Sequence, residues 1–555
     1  MSSRKAGSAD SDNSYNSRCL QNSFSPNRLG YTVAYILETL CQQGRLLHGL
    51  CERMNDRSAY GGFVYDQNLD NVKRQLGKHH IQMIALAGII GTGLFLGLGQ
   101  ILALTGPLGS LLVFIHVATV VYATMVSVGE MTSYAPISGS FLLYAARWLD
   151  PAIGFALGWN YFYYLGTAIP LEITAFSAMI KFWDTNPDHT AIYITVITVA
   201  LLLNNLFGVR WFGNSEIFFA SLKIMLVLAL YWRNPGPMVS ALEPGAKGRF
   251  LGLLVSITPA VFAIGGIELI SITVAETKQP RTNIIKAMRT VVFRLAFFFI
   301  ASVIVVGMLV PSNDPALFKP GESAGQSPFV IAFQRAGVKV FPSVVNAVLL
   351  TSAFSAANTY IFSASRVLYG LAVQNKAPRI FTTCTQGGLP WVAVIASWLF
   401  SLLAFMNVAT SSATVFNWLV SLVTMCGLIG WVTINTTYLR YYYGLKRQGI
   451  TPRGIYRSPL QPYAALWAIF WVTFYILVGG ISIFWEWNAG KFVAAYFNLP
   501  LFFLFFIGYK LWYKTKMTPL EELDFVSNIP TLEETGDEAL LREKLSFAKK
   551  LRELI

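Results

Sequence analysis

Ala85-Leu86-Ala87-Gly88-Ile89-Ile90-Gly91-Thr92-Gly93-Leu94-Phe95-Leu96-Gly97 lies in the middle of the first long apolar run of the chain, roughly residues 81–104. Lipid offers a spanning helix no hydrogen-bond partners, so its backbone must satisfy itself. Glycines this dense weaken a helix at that depth, each by about 1 kcal/mol relative to alanine. Broken backbone there is tolerated only where protein or a water-filled cavity covers it. A break exposes free N–H groups and a helix N-terminus, which suit a carboxylate. The same glycines would also serve as a helix-packing face.

Farther along, Ile257-Thr258-Pro259-Ala260-Val261-Phe262-Ala263-Ile264-Gly265-Gly266-Ile267-Glu268 is again apolar and Gly-interrupted, and it ends on a carboxylate. Two interrupted apolar segments in corresponding places of two halves point to a transporter's binding site.

The 555 residues are 54% hydrophobic and 13% charged, with a mean hydropathy of +0.51. That excludes a soluble protein of this length and fits an all-α polytopic membrane protein. The net charge of +14 and pI of about 9.4 would suit nucleic acid. The basic residues, however, sit in the joints between apolar runs, the pattern set by insertion topology, so no nucleic-acid partner is expected. Five cysteines (Cys19, Cys41, Cys51, Cys384 and Cys426) show neither metal spacing nor a paired framework. No metal or cofactor is expected. The loops carry no nucleophile–base motif, which argues against an enzyme. The chain opens on a polar segment, without a cleavable signal peptide.

A span needs roughly 20 apolar residues. Twelve candidates lie at approximately 81–104, 109–129, 138–168, 190–206, 214–230, 252–275, 291–310, 340–372, 390–407, 414–438, 464–484 and 493–513. Lys and Arg then set the topology. Lys73, Arg74 and Lys78 precede the first span, and Lys510, Lys514 and Lys516 end the last. Between them, Lys278, Arg281, Lys286, Arg289 and Arg294 follow the sixth span, Lys376 and Arg379 the eighth, and Arg440, Lys446, Arg447, Arg453 and Arg457 the tenth. All fall on one side, so both termini are expected in the cytoplasm. Arg233, Lys247 and Arg249 are the exception, on the outer side after the fifth span.

Residues 1–75 read as a largely disordered cytoplasmic tail, rich in Ser and Asn at its start. Its segment 31–54 is too polar and too short to span, and an amphipathic surface segment is one reading of it. Residues 76–516 carry the spans. The tail at 517–555 begins acidic (Glu521, Glu522, Asp524, Glu533, Glu534, Asp537 and Glu538) and then places Leu541, Leu545, Ala548 and Leu551 at helical spacing. The tails are where regulators of the ubiquitin or trafficking type are expected.

Several motifs resemble those of the fungal amino-acid permeases, within the amino acid–polyamine–organocation superfamily. They are Gly91-Thr92-Gly93-Leu94-Phe95, Gly129-Glu130-Met131, Pro136-Ile137-Ser138-Gly139-Ser140-Phe141, and Gly158-Trp159-Asn160-Tyr161. They continue with Phe262-Ala263-Ile264-Gly265-Gly266-Ile267-Glu268, Ala275-Glu276-Thr277, Pro280-Arg281, Ser363-Ala364-Ser365-Arg366-Val367-Leu368-Tyr369-Gly370, and Ser411-Ser412-Ala413-Thr414-Val415-Phe416-Asn417-Trp418. The resemblance runs from about Lys73 to Lys516. It implies a twelve-helix permease domain with a 5+5 inverted repeat, leucine-transporter-like, in which helices 1 and 6 are unwound. It also implies proton-coupled uptake of amino acids at the plasma membrane.

A zwitterion needs two complementary poles. Backbone N–H groups at Gly91, Thr92 and Gly93 can hold its carboxylate, and carbonyls freed near Phe262, Ala263 and Ile264 can take its ammonium. The resemblance supports both assignments and makes Phe262 a gate over the substrate; an ordinary packed aromatic is the other reading. Glu268 is a charge at mid-helix, where insertion costs about 2.5–3.5 kcal/mol, and such a residue is functional by default. It can carry a proton or bind the ammonium, or it can be a paired structural carboxylate. Lys223 is a second intramembrane charge. In proton-coupled relatives a lysine on this helix stands where sodium-coupled ones bind their ion; snorkelling to the interface is its alternative. Glu172 and Glu130 are expected to face inward, Glu130 toward an arginine. By family position Trp418 and Ser421 line the side-chain pocket, and Trp418 also fits an interfacial belt.

Two departures from the family stand out. The fifth span, Ser215 to Leu230, offers 16 residues, about 24 Å at ~1.5 Å per residue, against a hydrocarbon core of ~30 Å. An impaired carrier is therefore an alternative. Tyr164 stands where relatives often carry asparagine, which leaves the substrate class open. A receptor of the same fold, sensing amino acids without net transport, is a competing function, and a polyamine or choline carrier is a third.

Overall fold

The computed structural model describes residues 91–535, apart from 138, 229–245, 278, 319–326, 336–339, 453–455, 485–486, 528 and 531–534. The N-terminal tail with its segment 31–54, Ala85–Ile90, Cys19, Cys41, Cys51, Arg233 and the Leu541–Leu551 helix fall outside the described residues. So does the Lys223 side chain, although its backbone is helical.

Every regular element among the described residues is helical. A π-helical turn, Gly93–Gly97, leads into α1 (Leu98–Tyr134). Gly106 takes φ 68° there, immediately before Pro107. Proline removes a helical N–H and glycine alone adopts that backbone freely, so this point divides the first two expected spans.

The third expected span, 138–168, is two helices, α2 (Ser140–Trp148) and α3 (Pro151–Ile180). The Asp150 carboxylate accepts the Ala152 N–H at 2.8 Å and Pro151 opens the new helix, an N-cap pairing that fixes the start. The long helix therefore lies about a dozen residues later than hydropathy placed the span.

α4 (Thr190–Leu206) turns at Gly208, φ 101°, directly into α5 (Val209–Leu228). This helix has 20 residues rather than 16, or about 30 Å at ~1.5 Å per residue. It reaches back through Arg210 and Asn214, which polarity had assigned to the joint. The helix is thus longer than the expected span, although the residues it gains include Arg210 and Asn214.

α6 (Ala246–Ile264) is followed by a 3-10 segment, Ile267–Glu276. Then come α7 (Pro280–Leu309), α8 (Phe341–Val373), α9 (Trp391–Trp398) continuing as 3-10 helix to Phe405, and α10 (Ser412–Arg447). α11 (Tyr463–Val478) precedes α12 (Ala489–Tyr496) and α13 (Asn498–Tyr513), which meet at 44°. Among the described residues seven helices are long and apolar enough to cross a membrane, or eight with the bent pair as one. Among the described residues α7 contributes the shorter apolar stretch Phe297–Leu309.

Two packing groups organise these helices. α1 lies against α6 and α7, while α3 lies against α8 and α10. Small residues set the second group: a Cβ on Gly158 would meet Leu371 at 2.4 Å, and one on Gly430 would meet Tyr161 at 2.5 Å. Close approach of this kind is how spanning helices associate when lipid is as apolar as their side chains.

Candidate functional site

The α6 ladder stops where the sequence places two glycines. The Gly265 N–H donates to Val261 O at 2.8 Å, and the backbone then turns at Gly266, φ 89°. The chain restarts as 3-10 helix, Leu269 N–H donating to Gly266 O at 3.1 Å. The carbonyls of Phe262, Ala263 and Ile264 therefore stand at a helix C-terminus, the negative pole of its dipole. Gly91 lies in a bend and Thr92 begins the helix across from it. The N–H groups of such a first turn lack intrahelical acceptors.

The first turn of this helix and the end of α6 touch. A Cβ on Gly93 would lie 2.7 Å from Ala263 Cα and 3.2 Å from Phe262 Cε1, so backbone rests on backbone. Gly93→Ala is expected to hold the segments apart and cut substrate uptake by more than tenfold. A barrier change of about 1.4 kcal/mol suffices for tenfold, and overpacking typically costs about 1–3 kcal/mol. Labelled uptake, normalised to surface protein, measures it.

Two buried carboxylates adjoin these segments, and a third is buried between α5 and α8. The Thr92 hydroxyl donates to Glu172 Oε1 at 3.0 Å, which puts the α3 glutamate beside the N–H groups of Gly91 to Gly93. Glu268, 1% exposed, follows directly on the Gly265-Gly266 break and accepts the Tyr161 hydroxyl at 3.2 Å. Tyr164 flanks it: a Cβ on Gly266 would lie 3.6 Å from the Tyr164 hydroxyl, and one on Gly427 would lie 3.8 Å from its ring. Asn160 of the same helix donates to Cys426 O of α10 at 3.0 Å. The third, Glu216 of α5, is fully buried. It accepts Ser355 Oγ at 2.5 Å and Asn358 Nδ2 at 2.8 Å, and Asn204 and Asn205 complete the Asn358 amide at 2.8 and 2.6 Å.

Phe262 is half-buried and meets Phe416 edge-on, ring centroids 6.5 Å apart. Trp418 is half-buried. Ser421 donates its hydroxyl to Asn417 O at 3.0 Å and lines a crevice with Thr258, Gly479 and Ala495.

Toward the other end of the bundle, Arg366 Nε pairs with Glu276 Oε1 at 2.7 Å, the two side chains 6% and 1% exposed. The guanidinium also lies 3.8 Å over the Phe362 ring and donates to Ser365 Oγ at 2.9 Å. This pair joins the 3-10 segment after α6 to α8. Glu130 accepts the Tyr438 hydroxyl at 2.6 Å and the Ser458 N–H at 2.7 Å, and Arg457 shares its crevice and acts on the carboxylate through space.

Glu216 and the Arg366–Glu276 pair are the residues that reading the sequence missed. An intramembrane carboxylate is itself a signal, but placing the helix start at Ser215 put Glu216 at a boundary. The pair is separated by 90 positions, so no local spacing announces it. Among the described residues no group of three or more His, Cys, Asp or Glu could hold a metal ion.

Residues 80–521 match the family described as Amino acid permease. A Proline-specific permease of Emericella nidulans is 35% identical over 509 residues, covering 86% of this chain and 92% of that protein. A Lysine-specific permease of Saccharomyces cerevisiae is 36% identical over 486 residues, 82% of this chain and 79% of that protein. Among solved structures, Mhp1, a nucleobase-cation-symport-1 family transporter in a closed conformation with bromovinylhydantoin bound, aligns with 84% of this chain and 98% of its own. Its TM-score is 0.44 at 16% identity.

Proposed function

This chain belongs to the amino acid permease family, and from that premise we propose that it imports amino acids across the plasma membrane together with protons, by alternating access. The fold of the proposal is twelve spans in a 5+5 inverted repeat flanked by cytoplasmic tails, 1–75 and 517–555. The observation that carries it is the contact of Gly93 with Ala263. It brings the first turn of one helix against the last turn of another, and such ends offer the two poles a zwitterion requires.

Gly91, Thr92 and Gly93 receive the carboxylate, and Phe262, Ala263 and Ile264 receive the ammonium, with Phe262 as the gate. Trp418 and Ser421 border the side-chain end. Glu268, hydrogen-bonded to Tyr161, exchanges the proton, and Lys223 assists from α5. A proline-specific and a lysine-specific relative stand at nearly equal identity, so overall similarity supports the class of substrate and leaves its side chain open.

The test is uptake of labelled amino acids by cells that lack their own carriers, with a competition panel of the remaining amino acids. Accumulation above the external level, higher at acid external pH and collapsed by a protonophore, is expected. Binding without accumulation would instead support a receptor of the same fold.

A further inference from the structure

After α13 the chain does not leave the bundle. Lys510 Nζ and Thr515 Oγ1 reach Asp150 at 2.7 and 3.3 Å, and the backbone then crosses the helix ends. Arg440 of α10 donates to Thr518 O, and Gln448 donates to the carbonyls of Leu520 and Leu523 at 3.1 and 2.9 Å. Leu523 and Phe525 are 3% and 4% exposed. Gly444 makes their seat, for a Cβ there would meet Leu523 at 2.6 Å and Phe525 at 3.0 Å.

The Phe525 ring packs among Tyr134 of α1, Trp148 of α2 and Tyr441 of α10, with centroids 6.1, 5.8 and 6.0 Å away. Phe525 O accepts the Tyr134 hydroxyl at 2.7 Å. Asp524 pairs with Arg147 at 3.1 Å, and its carbonyl accepts the Trp148 indole N–H at 3.0 Å. Farther on, Arg281 at the start of α7 donates to Pro530 O at 2.6 Å and Thr535 Oγ1 at 3.3 Å.

These contacts fall on both packing groups. Tyr134 and Arg281 belong to α1 and α7; Arg147 and Trp148 belong to α2, which packs on α3, and Tyr441 and Gly444 to α10, which packs on α3 and also touches α1. Alternating access in this kind of carrier is rocking of one bundle against the other, and a segment tied to both opposes their separation. We propose that residues 515–527, together with Pro530 and Thr535, are a latch across the end of the bundle that faces the cytoplasm, and that inward opening requires its release. The proposal rests on the transport reading for the direction of opening only.

The latch is held by charge as well as by Phe525. Burial alone would raise the Asp524 carboxyl, but Arg147 and the N–H groups of Ser527 and Val526 outweigh it and hold it below the usual carboxylate range. Its contribution is thus present at neutral pH and is lost only as the pH falls into the acid range.

Cys426, 1% exposed beside the site, is a native reporter. In the full chain with Cys19, Cys41, Cys51 and Cys384 replaced by serine, a membrane-impermeant maleimide is applied to inside-out vesicles. Phe525→Ala and, separately, Asp524→Asn are expected to raise Cys426 labelling several-fold at unchanged thermal stability or with a small loss. Unchanged labelling in both variants while they remain folded overturns the latch, and so does labelling that rises only in proportion to lost stability. Labelled uptake by the parent protein is read in parallel. If it transports nothing, the transport reading fails while the labelling comparison still decides the latch.

Discussion

Glu268→Gln is expected to reduce proton-driven accumulation by about 100-fold, equivalent to about 2.7 kcal/mol at tenfold per 1.36 kcal/mol. The substitution is nearly isosteric. A glutamine oxygen can still accept the Tyr161 hydroxyl that Glu268 Oε1 accepts at 3.2 Å, so folding and surface level should hold. What is lost is the ability to change charge, in a residue 1% exposed at a depth where a carboxylate costs about 2.5–3.5 kcal/mol to insert. Uptake of labelled substrate at acid external pH, with and without protonophore, reads the driven component. Exchange of labelled for unlabelled substrate in loaded vesicles needs no net proton movement and should survive. Accumulation at the parental level would remove Glu268 from the coupling step.

Arg366→Ala is expected to destabilise the protein by about 3–5 kcal/mol, the cost of removing one partner of a buried ion pair and stranding the other. Glu276, 1% exposed, would lose the guanidinium at 2.7 Å with lipid and packed helices around it. Thermal unfolding in detergent and surface level report the loss. The double variant Arg366→Met with Glu276→Gln should recover part of it, since no charge is then left alone. If the single variant unfolds at the parental temperature, the pair does not hold the 3-10 segment to α8.

Some of this was legible in the sequence for stated physical reasons. Gly265-Gly266 within an apolar run can only be a break or a packing face, and the carboxylate two positions later favoured the break. The span at 190–206 is bounded by polar residues at both ends, and the structure gives it those limits. Capping decides other boundaries. Asp150-Pro151 is a small dip in hydropathy but a strong helix start, so the third span was drawn across it. Gly208 makes a turn so short that the polar start of α5 looked like a joint. Contacts between distant positions leave no trace in spacing. Arg366 and Glu276 each lay in a quoted motif, yet nothing in either named its partner. Phe525 is one aromatic residue in an acidic stretch, and only its neighbours in space distinguish it from a solvated tail.

The junction between Gly93 and Ala263 is made of the two smallest residues. Neither glycine nor alanine has rotamers to freeze, whereas a long side chain gives up about 1.5–2 kcal/mol each time it is ordered. In the proposed alternating-access cycle a seam built this way parts and rejoins with almost no conformational toll, and larger residues there would tax each cycle.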